Sequence, residues 1–268
     1  MKWQTQRCLL TGATGGIGQA VATELAVRGV SLILQGRNLK KLQALHAKLP
    51  GEHCYVVADI TDPAGRNVLL ERISLAGGIT MLINNAGISK VGLLEQSDQQ
   101  AITDTINTNL LAPMLLTQAL LPQLKSLPQS YIINIGSAFG SIGFAGQSLY
   151  CASKFGLRGF SEALYRELAD TSVKVSYLAP RATATSINSA QVVAMNQQLG
   201  SHTDTPVLVA NALIKQLEQR RVRVFIGFEE RLFAKINGVF PTLVDKALLK
   251  KLPIIKRFIA QQPKEVLV

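Results

Sequence analysis

Tyr150 and Lys154 stand four residues apart in the run Tyr150-Cys151-Ala152-Ser153-Lys154, and Ser137 precedes the tyrosine by thirteen. Four residues are about one helical turn, so on a helix the phenol and the ammonium share a face. An unperturbed phenol has a pKa of about 10, too high to exchange protons readily near neutrality. A cation within roughly 4 to 6 Å favours the ionised form, which makes the tyrosine a candidate general acid or base. Ser137 closes the apolar run Tyr131-Ile132-Ile133-Asn134-Ile135-Gly136. That run reads as a buried strand delivering a hydroxyl at its C-terminal end, the edge where ligands gather in open α/β sheets. Exposed Tyr-x-x-x-Lys pairs are common on helices, so the chemistry depends on what else the chain brings to the same place.

Strand-like apolar runs cover 7–10, 31–35, 54–58, 81–83, 131–135, 174–178 and 222–226, and amphipathic stretches over 18–28, 39–49, 64–75, 98–121 and 153–168 alternate with them. Such alternation implies βαβ crossovers, hence an α/β fold with a doubly wound, mostly parallel sheet of seven strands and helices on both faces. No internal repeat or low-complexity linker interrupts it. Residues 1–227 are expected to form one Rossmann-like domain, and 228–268 a basic, amphipathic helical extension of it.

The chain has 268 residues, 47% hydrophobic and 17% charged, which suits a folded core rather than disorder. It contains no apolar run near the length that spans a bilayer, and its polar start does not fit a secretory signal. A cytoplasmic location is expected. Cys8, Cys54 and Cys151 are too widely spaced for a disulfide framework or a metal knuckle, and His46, His53 and His202 lack metal-ligand spacing. Residues 220–268 carry eleven Lys/Arg against four Asp/Glu, so most of the net charge of +11 lies there. The basic and aromatic interleaving of a nucleic-acid platform is absent.

The first strand runs into Thr11-Gly12-Ala13-Thr14-Gly15-Gly16-Ile17-Gly18 and then a helix. Glycines there permit a tight turn and close approach to a pyrophosphate, and the helix N-terminus offers free amides and a positive dipole end. A carboxylate that would bind ribose hydroxyls belongs near the end of the second strand. The chain has Leu34-Gln35-Gly36-Arg37-Asn38 instead, and an arginine there attracts a 2′-phosphate. NADP(H) is therefore expected over NAD(H). Asp59, in Ala58-Asp59-Ile60, either accepts from an adenine amino group or caps the next helix.

Over residues 5 to about 227 the chain resembles the short-chain dehydrogenase/reductase family. The glycine turn, Asn84-Asn85-Ala86-Gly87, Asn109, Ser137, and Tyr150 with Lys154 occur in the family's order and approximate spacing. The resemblance implies an enzyme in which Tyr150 gives or takes the proton of a carbonyl or secondary alcohol. Ser137 would hydrogen-bond the same oxygen. Lys154 would hold the nicotinamide ribose and lower the phenol pKa, and Asn109, preferred over Asn107 on spacing, would hold a water linking Lys154 to solvent. Asn85, Ala86 and Gly87 would line the adenine-ribose side of the cleft, with Gly12, Thr14, Gly15, Gly16, Ile17, Gly18, Arg37, Asp59 and Ile60 completing that half. Pro180, Thr183 and Thr185 match the segment that meets the nicotinamide carboxamide. Arg181 departs from the family, which has glycine there, and so bears on the loop at the substrate entrance. A protein that senses NADP(H) and regulates a partner is the competing reading, against which the complete set of catalytic residue types argues.

The family pairs subunits through helices corresponding to 98–121 and 153–168, so a homodimer is expected. The segment 186–205 carries Ile187, Val192, Val193, Met195 and Leu199 and suits an apolar carbonyl or alcohol substrate. In the tail a helix over 229–237 breaks at Gly238. A second opens at Pro241, with Leu243, Val244, Ala247, Leu248 and Leu252 on one face and Lys246, Lys250 and Lys251 around it, and stops at Pro253. Its apolar face either docks over the cleft or a second subunit, or lies on an anionic membrane.

Overall fold

A computed structural model of the chain describes residues 1–185, 187 and 189–261. Seven parallel strands, β1 Arg7–Leu10, β2 Ser31–Gly36, β3 His53–Val57, β4 Met81–Asn84, β5 Ser130–Ile135, β6 Val173–Ala179 and β7 Arg223–Phe225, form one sheet in the order β3-β2-β1-β4-β5-β6-β7. The chain begins at β1, moves outward to β3, and returns to lay β4 on the other flank of β1. That reversal opens a crevice above the C-terminal ends of β1 and β4.

The strands read as unbroken apolar runs because both faces are covered, and their alternation divides the core in two. Cys8, Leu10, Leu32, Leu34, Met81, Ile83 and Ile133 pack under α1 Gly16–Val27, α2 Leu39–His46 and α8 Pro206–Glu218. Leu9, Ile33, Leu82 and Ile132 pack under α3 Pro63–Leu75, α5 Ala112–Lys125 and α6 Ser148–Glu167. Each such leucine or isoleucine contributes about 1.5–3 kcal/mol by leaving water. Local signals set the helix starts: Asp62 accepts from the Gly65 amide at 3.0 Å with Pro63 next, and Asn38 accepts from Lys41 at 2.9 Å.

Three expectations about helices are corrected. The stretch 98–121 is not one regular helix but α4 Gln99–Ile106, a π-turn Asn107–Leu111, and α5. Pro113 has no N–H to offer the carbonyl four residues earlier, so regular α-helical bonding cannot run through this point. In the tail, α9 Phe228–Val239 continues through Gly238 and breaks at Phe240, before α10 Pro241–Leu249. Pro253 does not end that segment. It occupies the first turn of a further helix, α11 Leu252–Ala260, where its missing N–H removes no helical bond. The expected extension 228–268 is described through Gln261; residues 262–268, and Ser186 at the start of the entrance segment, lie outside the described residues.

Candidate active site

The glycine turn after β1 is shaped by contacts that leave no room for side chains. Gly12 has φ +63°, and a Cβ there would stand 2.7 Å from the Ala86 Cα. A Cβ on Gly18 would meet the Gly12 carbonyl at 2.3 Å, so this glycine lets α1 start directly against the turn. Asn85 locks the arrangement: its Nδ2 donates to the Thr11 and Gly12 carbonyls, both at 3.0 Å, and the Asn85 and Ala86 amides donate to Thr11 Oγ1. Gln35 is also committed to the turn rather than to a ligand. It is buried, accepts from the Gly12 amide at 3.0 Å and donates to the Ala58 carbonyl at 2.7 Å. Nothing in the sequence distinguished this role from a polar strand end.

A cleft of about 680 Å³ runs from Arg37, Asp59 and Ile60 past the glycine turn to Ser137 and Tyr150. All the residues assigned to cofactor binding line it except Lys154. At the far end Arg37 approaches Asp59 at 3.7 Å. Burial pushes the Asp59 carboxyl up, but hydrogen bonds from the Thr61 amide and hydroxyl, with the Arg37 guanidinium, outweigh it and leave it below the usual carboxylate range. Arg37 is 68% exposed in its side chain, so the pair is screened and the guanidinium is available to a second anion.

The cleft's floor is made by β5 and α6. Ser137 follows β5, its Oγ accepting from the Phe139 amide at 3.1 Å. Tyr177, on β6 and 1% exposed, lies beneath it and exchanges 3.3 Å hydrogen bonds with the Ser137 amide and carbonyl. Its phenol fills the space where a Cβ of Gly136 or Gly140 would project, at 2.1 and 2.4 Å. Burial pushes the Tyr150 phenol up to about 12 against the pull of the Ser137 hydroxyl. Lys154 Nζ lies 5.7 Å from the Tyr150 ring centre and donates to the Ile135 carbonyl at 3.0 Å. Burial lowers the lysine to about 8. The expected lowering of the phenol by its lysine is therefore overridden here: desolvation acts on both groups and drives the pair toward neutrality.

Lys154 and Asn109 stand behind the cleft wall, 4% and 0% exposed. A Cβ on Gly87 would stand 3.5 Å from Lys154 Nζ and 3.3 Å from Asn109 Oδ1, so only a glycine's width separates them from the cleft. Gly87 thus stands beside Lys154 and Asn109. The Asn109 side chain accepts from the Ile88 amide at 2.8 Å and uses both its N–H groups, donating to the Ile88 carbonyl at 2.9 Å and to Ser153 Oγ at 3.0 Å. Its main-chain carbonyl is the one that Pro113 cannot serve.

Arg181, the departure from the family pattern, has ordinary negative φ. It makes a bidentate pair with the buried Asp204, at 2.9 and 2.8 Å, and reaches Glu230 of α9 at 3.5 Å. Asp204 also pairs through its backbone with Ala182 and Ala184, which pinches the entrance segment shut at its base. Beyond that pinch α7 Ala190–Gln198 offers Val192 and Met195 to the cleft, opposite Phe139, Ile142 and Phe144. The tail helices complete this end. Ile255 and Ile259 of α11 are buried against Met195, and Phe233, Leu248 and Lys251 reach the cleft. Of the alternatives read from the tail, its inner face takes the docking over the cleft.

The parallel sheet, its glycine turn and the crevice at the strand reversal define a Rossmann-like dinucleotide fold. The model for short chain dehydrogenases matches residues 6–196, and the chain belongs to the short-chain dehydrogenase/reductase family of oxidoreductases. It is 36% identical over 204 residues to the 3-oxoacyl-[acyl-carrier-protein] reductase FabG of Haemophilus influenzae, a match covering 76% of this chain and 84% of that one. It is 34% identical to a human 3-oxoacyl-[acyl-carrier-protein] reductase, over 79% of this chain and 90% of that one. Among solved structures, a short-chain dehydrogenase of Sphingobium yanoikuyae in complex with NADPH superposes with a TM-score of 0.74 at 27% identity, covering 90% of this chain and 95% of that one. One of Burkholderia phymatum in complex with NAD, 20% identical and covering 91% and 96%, shares the fold with a TM-score of 0.80.

Proposed function

We propose that the protein is an NADP(H)-dependent reductase or dehydrogenase that moves hydride between the nicotinamide and a carbonyl or secondary-alcohol carbon of an apolar small molecule. The observation that carries the reading is the convergence of Ser137 and Tyr150 on one cleft floor with the buried cation of Lys154 behind them. The residues present fit the cofactor. Glycines 12, 15, 16 and 18 keep the turn free of side chains, the first-turn amides of α1 lack helical acceptors, and Arg37 stands at the distant end. Bound there, the nicotinamide supplies or accepts the hydride.

Tyr150 then gives its proton to the substrate oxygen during reduction, and Ser137 donates to the same oxygen as its charge develops. Lys154 holds the ribose hydroxyls and steadies the phenolate left behind. The relay from Lys154 to solvent runs by this reading through the Asn109 main-chain carbonyl, since both side-chain N–H groups are already donated and the side-chain oxygen takes the Ile88 amide. The apolar wall of Phe139, Ile142, Phe144, Val192 and Met195 supports an apolar substrate. Copies of the protein pair through the outer faces of α5 and α6, where Met114, Phe155 and Tyr165 stand exposed.

NADPH oxidation followed across a set of apolar ketones tests the function, with turnover on NADPH exceeding that on NADH. Arg37→Ala should lower kcat/KM for NADPH by about ten- to a hundredfold, the loss of a charge-assisted phosphate contact, and leave NADH almost unchanged. An equal effect on both cofactors would remove Arg37 from 2′-phosphate recognition. The pH dependence follows from the two shifts. The phenol near 12 stays protonated throughout the working range, while the lysine near 8 is cationic below that pH and neutral above it. For reduction, kcat/KM should be level below pH about 8 and fall as the pH rises through it.

A further inference from the structure

The tail walls the cleft with one face and leaves the other uncovered. Phe228, Leu232 and Val239 lie along one stripe of α9, with Phe228 and Val239 each 69% exposed, and Phe240 and Leu243 carry the apolar surface across the corner into α10. The opposite sides of the same helices are occupied: Val244 is buried, and Phe233 and Leu248 line the cleft. Lys235 falls on the apolar stripe, the exposed Lys246 stands on α10, and the exposed Lys250 caps its end.

We propose that this outer face of α9 and α10 rests on an anionic lipid surface. Large apolar side chains exposed together mark an interaction site, and here basic residues border them. A negatively charged leaflet supplies both halves of what the face lacks, an apolar layer for the phenylalanines and leucines and headgroup phosphates for the lysines. A second copy related by a two-fold axis would set the same cations against one another. A hydrophilic polyanion would leave the apolar stripe in water. None of the described helices is long and apolar enough to cross a bilayer, so the contact is peripheral. It brings the cleft wall formed by Phe233 and Leu248 to the leaflet, from which a ketone on a long apolar chain could enter. That last step rests on the oxidoreductase reading, whereas lipid binding does not.

The full-length protein is sedimented with vesicles of phosphatidylcholine alone and of phosphatidylcholine with phosphatidylglycerol. Binding is expected only with the second, and should weaken as salt is raised. Leu232→Asp combined with Leu243→Asp should reduce the bound fraction about tenfold or more, with the melting temperature and the turnover of a water-soluble ketone unchanged. Neither leucine lines the cleft, so vesicle binding reads this face and not the chemistry. Absence of binding, equal binding to neutral vesicles, or full binding by the double variant overturns the proposal. So does a fall in the mass of the assembly in the double variant, which would make the face a contact between copies.

Discussion

Tyr150→Phe is expected to lower kcat by roughly a hundred- to ten-thousandfold, the range that a positioned general acid contributes. The ring of Tyr150 lies along the cleft and its hydroxyl sits where burial raises the phenol to about 12, so the substitution removes one oxygen and little packing. The Ser137 hydroxyl remains to bind the substrate oxygen but has no proton to yield at neutral pH. The glycine turn, the first turn of α1 and Arg37 are untouched, so NADPH affinity measured by fluorescence titration should stay within about threefold of wild type, below 1 kcal/mol. Substantial retained turnover would end the assignment of Tyr150 as the acid. A matching loss of cofactor affinity would mean that the tyrosine acts through the fold.

Lys154→Met should separate activity from stability in opposite directions. Turnover should fall by about a hundredfold or more, because no cation then stands behind the phenol. Stability should rise. Lowering the lysine from 10.5 to about 8 corresponds to about 3 kcal/mol against the buried cation at 1.36 kcal/mol per pKa unit. Loss of the bond to the Ile135 carbonyl offsets about half of this or more. The net gain of about 1 kcal/mol should raise Tm by about 2–4 °C for a chain of this size. The gap has a definite pH dependence. Below about pH 8 the lysine is charged in both folded and unfolded chains and wild type carries the full penalty. Between there and 10.5 the folded state releases its proton first, so wild type gains stability as pH rises and the gap closes. A variant less stable than wild type at neutral pH would show that the lysine is a structural element.

What the sequence made legible was local. The strand positions follow from short apolar runs, and each was placed to within a residue or two because its signal lies within the run itself. The amphipathic pattern becomes clear only from Ser153, but the helix begins at Ser148, which puts both Tyr150 and Lys154 on it as their spacing requires. What stayed hidden was carried by long-range pairing. The match of Tyr177 to two glycines about 40 residues earlier, the commitment of Gln35 to Gly12, and the clasp between Arg181 and Asp204 each join side chains that no periodicity relates. The π-turn was readable in principle. Pro113 four residues after Asn109 announces a carbonyl without a helical donor, and that signal was outweighed by the amphipathic pattern around it. At Pro253 the same proline rule points two ways, because a stop and a first-turn position look alike until the following helix is seen to bury Ile255 and Ile259.

The pinch at the base of the entrance segment has a consequence for how this protein can change. Because Ala182 and Ala184 pair with Asp204, and Arg181 holds the same aspartate, the segment that carries α7 has its two ends already fastened to the sheet and to the start of α8. Lengthening a loop closed in this way costs only about 0.6 kcal/mol per doubling. Changes there that spare Thr185, which abuts Gly16, and the α7 face packed on α11 leave the glycine turn and the floor with Ser137 and Tyr150 in place. Such a module can be regrafted to reshape the entrance while the site beneath it is inherited unaltered.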